Sequence, residues 1–78
     1  MNTRDAAYLT GHNYAGGVPA LAVRMGMTAR DLSRRLNPIT SDISLHDAVS
    51  LMTLSGDHRI LFALADELGY SMDQLKEK

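Results

Sequence analysis

Leu21-Ala22-Val23-Arg24-Met25-Gly26-Met27-Thr28-Ala29-Arg30-Asp31-Leu32-Ser33-Arg34-Arg35-Leu36 is the stretch on which the fold turns. Gly26 stands where a helix stops on a left-handed residue. Thr28 follows as an N-cap, its hydroxyl placed to accept from an orphan amide of the next first turn. Ala22 lies four residues before Gly26, and a small side chain there lets two helices approach closely. Leu32 and Leu36 lie four apart, on one face of the second helix. Met27 is expected to be buried just after the turn. Two short helices about a glycine turn are the spacing of a helix-turn-helix.

Outward from this pair the breakers divide the chain into five helices, at about 3–13, 18–25, 28–36, 45–54 and 57–68. Thr3 is read as the first cap, and the Gly16-Gly17 pair as the stop of that helix. Pro19 suits a first helical turn, where its missing N–H is not needed. Asn37-Pro38 closes the third helix, because the residue before proline resists the α region. Ser44 caps the fourth, with Asp47 three residues later in a capping-box position. Its apolar set is Leu45, Ala48, Val49, Leu51, Met52 and Leu54. Asp57 is read as the cap of the fifth helix, which carries Ile60, Leu61, Phe62, Leu64, Ala65 and Leu68. Gly69 ends that helix. Residues 70–78 are expected to form a short turn with Met72 and Leu75, then a frayed tail.

Length and composition agree with a small all-α domain. Seventy-eight residues leave no room for a second core. A chain of this size buries a modest share of its surface and relies on dense packing or self-association. No cysteine is present, so neither disulfide nor thiolate metal site reinforces it. Eleven Leu and five Met against one Phe and no Trp disfavour a sandwich or barrel. An apolar share of 45% is too high for a disordered chain. No apolar run reaches the roughly 20 residues of a membrane span, and no secretory leader is recognisable. A cytoplasmic location is the expectation.

Charge is divided unevenly. Arg4, Arg24, Arg30, Arg34 and Arg35 against Asp5 and Asp31 give residues 1–39 a balance of +3. Arg59, Lys76 and Lys78 against Asp42, Asp47, Asp57, Asp66, Glu67, Asp73 and Glu77 give residues 40–78 a balance of −4. A positive face on a chain of net charge −1 suits a polyanionic partner.

With Leu32 and Leu36 turned inward, Ala29, Arg30, Ser33 and Arg34 point outward. A second helix of this kind lies in a DNA major groove with its early residues on base edges. Arginine takes guanine O6 and N7 bidentately, and Ser or Ala touches a thymine methyl. Ala29, Arg30, Ser33 and Arg34 are therefore the candidate base-reading residues. Thr28, at a helix start that favours an anion, joins Arg35, Asn37 and Arg24 as candidate phosphate contacts. The bland alternative is a solvated basic face on an ordinary helical hairpin.

Other chemistries find little footing. His12, His46 and His58 form no pair at helical spacing, so a metal site is not expected. Asp57-His58-Arg59 lacks a nucleophile motif beside it, the glycines match no phosphate loop, and neither enzyme activity, cofactor nor small-molecule substrate is expected. Tyr8, Tyr14 and Tyr70 are too dispersed for a base-stacking platform.

Several strings also resemble known relatives. The run Met25-Gly26-Met27 with its flanks resembles the helix-turn-helix of lambda-repressor-like proteins. Four longer strings are similar to the phage regulatory protein CII family. They are Tyr14-Ala15-Gly16-Gly17-Val18-Pro19-Ala20-Leu21-Ala22, then Leu36-Asn37-Pro38, then Leu45-His46-Asp47-Ala48-Val49, then Leu54-Ser55-Gly56-Asp57-His58-Arg59-Ile60-Leu61. They keep family order and span about residues 8–68. The resemblance implies a phage- or prophage-type transcriptional regulator with a compact five-helix, lambda-repressor-like fold. It also implies sequence-specific binding to duplex DNA as a homodimer or higher oligomer, in the bacterial nucleoid. Relatives are often longer, so a 78-residue chain is expected to lack their oligomerising part. Surplus apolar surface near Phe62, Met72 or Leu75 is the expected place for a contact between copies. A rival function is a protein-interaction module that binds another regulator through its acidic half.

Overall fold

The structure is a computed structural model that describes residues 2–40 and 43–71. Among the described residues the regular structure consists of five α-helices: α1 (Thr3–His12), α2 (Gly17–Met25), α3 (Ala29–Leu36), α4 (Leu45–Ser55) and α5 (Arg59–Leu68). The expected turn at Met72 and Leu75 lies outside the described residues.

Helix α1 packs against all four other helices. Its buried face is made of Ala6, Ala7, Thr10 and Gly11. These side chains are small, and interhelical distance depends on the side chains at the contact. Four neighbours therefore approach one short helix closely. Leu21, Leu32, Leu36 and Leu51, from α2, α3 and α4, supply the bulk that α1 lacks, and all are fully buried. Ile60 and Ala63 complete the cluster from α5. Thr10 is buried without penalty, because its hydroxyl donates to the Ala6 carbonyl at 2.8 Å.

The helix ends follow local chemistry, with two corrections. Asn2, not Thr3, caps α1: its Oδ1 accepts from the Asp5 N–H at 2.8 Å. The Thr3 N–H instead donates to Glu67 Oε1 at 2.9 Å, tying the start of α1 to the end of α5. Asp57 is one residue too early to cap α5. His58 takes that position, and Asp57 Oδ1 accepts from the Arg59 N–H at 3.1 Å. Ser44 does cap α4, accepting from the Asp47 N–H at 3.0 Å.

The apolar faces of α4 and α5 also need correction. Leu45 and Val49 are exposed, as are Phe62 and Leu68. Ala63, outside the expected α5 set, is buried. Helix α5 is apolar over most of its circumference, so periodicity alone does not choose its inner face. Contact with the small-residue face of α1 chooses the line through Ile60 and Ala63.

Gly11 is where this economy of volume is tightest. A methyl group added there would run into the Leu36 side chain, which is itself 1% exposed. Gly11→Ala gains about 1 kcal/mol of helix propensity, but overpacking a filled core costs about 1–3 kcal/mol. We expect a net loss of stability in urea unfolding. A variant as stable as the parent or more so would show that Leu36 has room to retreat.

Candidate nucleic-acid interface

Residues Gly26, Met27 and Thr28 connect α2 to α3 and serve both helices at once. Gly26 has φ 73°, a left-handed conformation that side chains resist. The Met27 N–H donates to the Ala22 carbonyl at 3.1 Å, which closes the end of α2. Thr28 Oγ1 accepts from the Asp31 N–H at 3.1 Å, which opens α3. Met27 and Leu32 both join the core on either side of that cap, the arrangement of a hydrophobic staple. The angle between α2 and α3 is thus set within three residues.

Leu32 and Leu36 are each 1% exposed, on the inner side of α3. The outer side presents Arg30, Ser33 and Arg34, all exposed, with Ala29 partly buried at the start. Arg30 makes no ion pair or side-chain hydrogen bond among the described residues. Arg34 Nη2 lies 3.7 Å from Asp31 Oδ1, with its side chain 65% exposed. An open pair of this kind contributes about 0.3–0.5 kcal/mol at most, so Arg34 is readily available to another anion.

The four residues assigned to phosphate are placed differently from one another. Thr28 is exposed, but its Oγ is engaged as the α3 cap. Asn37 is exposed at the end of α3, and its Oδ1 accepts from the Ile39 N–H at 2.9 Å. Arg24 Nη1 donates to Tyr14 Oη at 2.6 Å and to the Leu54 carbonyl at 3.1 Å. It so satisfies a carbonyl at the end of α4, where a cation is favoured. Arg35 is held most firmly: its Nη1 donates to Asp47 Oδ2 at 2.7 Å. That ion pair has side-chain exposures of 34% and 12%.

Asp47 is the residue whose part the sequence did not disclose. Its position in the first turn of α4 is legible, but its partner lies twelve residues away on another helix. Burial raises its pKa. The hydrogen bond from Arg35, hydrogen bonding to Ser44 and the Arg35 charge outweigh this, and hold the carboxyl below its ordinary 3.8. Tyr14 and Gly11 were likewise hidden, since each acts through a neighbour distant in sequence.

Elsewhere, an open groove between α1, α4 and α5 is lined mainly by Ala7, Ile43, Leu45, Ala48, Ile60 and Leu64, with Thr3, Arg4 and Ser44 as its polar points. Among the described residues no three acidic or histidine side chains gather as metal ligands. No helix among them is long and apolar enough to cross a membrane.

A sequence model of one protein family, phage regulatory protein CII (CP76), matches residues 1–78. No curated protein and no solved structure matches the chain.

The partly buried Arg35–Asp47 pair carries a pH signature. Because the folded-state pKa of Asp47 is depressed, its contribution is present above the unfolded value of 3.8 and is lost as pH falls through the lower folded value. Asp47→Ala is expected to cost about 1–3 kcal/mol at neutral pH, between the values for exposed and fully buried pairs. The difference in urea stability between parent and variant should shrink as the solution is acidified below about pH 4. A difference that stays constant down that range would mean that Asp47 is not ionised by preference in the folded protein.

Proposed function

The chain belongs to the phage regulatory protein CII family, and from that premise we propose that it binds duplex DNA in a sequence-specific manner through α3. The family is one of regulators rather than enzymes. The observation that carries the reading is the division of α3 into two faces. Leu32 and Leu36 are sealed against the core while Arg30, Ser33 and Arg34 stand in solvent. Exposed arginines without buried partners give up no strong internal ion pair when they meet an external anion. Arg30 and Arg34 lie one helical turn apart, a spacing that lets both reach the edges of neighbouring base pairs. Ala29 and Ser33 lie beside them and meet thymine methyls or phosphate.

In this reading the α2–α3 unit is a helix-turn-helix. Thr28 and Asn37 flank the reading helix at its two ends and approach the backbone, fixing register without conveying sequence. Arg24 supports the same strand while holding α4 in place. Two copies would offer equivalent helices to half-sites about one turn of DNA apart, roughly 34 Å. Exposed apolar side chains such as Phe62 provide surface for that pairing. Binding needs no cofactor and consumes no substrate.

Fluorescence anisotropy on a duplex selected from a random-sequence pool tests this. The parent protein is expected to lose affinity linearly in log–log salt plots, as phosphate contacts release counterions. Arg30→Ala should weaken the selected duplex by about 1–3 kcal/mol, or five- to 150-fold, and relax preference at one base position. The urea midpoint should not move. Equal affinity for Arg30→Ala and parent would remove Arg30 from the reading face.

A further inference from the structure

We propose that the Arg35–Asp47 ion pair sets the roll of α3 about its own axis, so that Arg35 is a positioning residue and not a phosphate ligand. This rests on the reading of α3 as the DNA-facing helix. Helix α3 has eight residues, little more than two turns. Its N-terminal end is fixed by the Gly26–Thr28 turn. Beyond that turn it is held to the core by the burial of Leu32 and Leu36, with Ala29 packed partly against the same cluster. Burial of the two leucines chooses which face of the helix turns inward, but apolar contact is non-directional and leaves small rotations about the axis weakly opposed. A charge-assisted hydrogen bond is directional. The one that Arg35 donates to Asp47, at 2.7 Å, comes from the last turn of α3.

Asp47 is a suitable anchor. It stands in the first turn of α4, its own N–H is held by Ser44 Oγ at 3.0 Å, and its residue exposure is 9%. A carboxylate there is also favoured by the helix dipole. Apart from this pair α3 and α4 barely touch, so the bond ties α3 to α4 with little help from packing. Arg34 precedes Arg35 by one step of about 100° around the helix, and Arg30 lies one turn before Arg34. Fixing the azimuth of Arg35 therefore fixes the azimuth of both proposed reading side chains.

The two roles for Arg35 predict opposite signs. Asp47→Asn removes a negative charge beside the interface and loosens the hold on Arg35, leaving a neutral acceptor in place of a carboxylate. If Arg35 served phosphate, or if the pair only stabilised the fold, that variant would bind the selected duplex as well as the parent or better. As a positioning device, the pair's loss should weaken binding at least about tenfold, since two arginine contacts are misaligned. The salt slope should be unchanged. Arg35→Met should lose as much as Asp47→Asn, and the double variant no more than either alone. Arg30→Ala should cost less in the Asp47→Asn background than in the parent. Affinity maintained in Asp47→Asn, or a salt slope lowered by about one in Arg35→Met alone, would overturn the proposal.

Hydrogen exchange of the full chain keeps this test separate from the DNA reading. Amides of α3 should exchange faster in Asp47→Asn while those of α1 and α5 keep pace with urea stability. If the parent shows no salt-dependent affinity for any random-sequence duplex, the DNA reading fails, and unchanged α3 exchange would then sink the positioning role as well. Should Asp47→Asn fail to fold, Arg35→Met carries both measurements.

Discussion

The fold depends on the narrowness of α1. Every other helix rests on a face made of Ala6, Ala7, Thr10 and Gly11. Small side chains on the central element allow short helices of eight to eleven residues to share one core. None of them would be stable as an isolated helix of that length. The bulk comes from the surrounding leucines, and the closest fit is that of Leu36 over Gly11. This contact also brings the C-terminal end of α3 down onto the body.

Once the leucines of α3 are inside, helical geometry decides what is outside. Arg30 and Arg34 are placed in solvent by the same 3.6-residue period that buries Leu32 and Leu36. The arginines of α2 and α3 consequently divide into two groups. Arg24 and Arg35 are engaged with α4, one at the Leu54 carbonyl near its end and the other at its first-turn carboxylate. Arg30 and Arg34 have no comparable hold. The acidic half of the chain thus supplies a partner for one arginine of α3 while leaving its exposed side open. A net charge of −1 conceals this arrangement, because sign matters by surface and not by sum.

The turn between α2 and α3 and the ion pair between α3 and α4 solve different problems. The turn is local: a left-handed glycine, a threonine cap and a buried methionine in sequence. It holds one end of α3 in place. The ion pair is not local, and it acts at the other end. A short helix lying on two leucines uses both, since the burial of apolar surface fixes its depth and inward face but only loosely its exact rotation.

The fold class, the five helices and most of their ends were legible in the residues. Caps and left-handed glycines act within a few positions, so Gly26, Thr28, Ser44 and Gly69 declare themselves. The inner face of α3 was also legible, because it carries only two leucines and its other residues are polar. The inner faces of α4 and α5 were not. Both helices have more apolar residues than one face holds, and Leu45, Val49, Phe62 and Leu68 were left outside by the shape of α1. Nor did sequence disclose that Arg24 and Arg35 hold α4. All four arginines lie on the α2–α3 unit, and while spacing set Arg30 and Arg34 outward it gave Arg24 and Arg35 to phosphate and not to α4. Only the placement of Tyr14, Leu54 and Asp47 around them, ten to thirty residues distant, made that distinction.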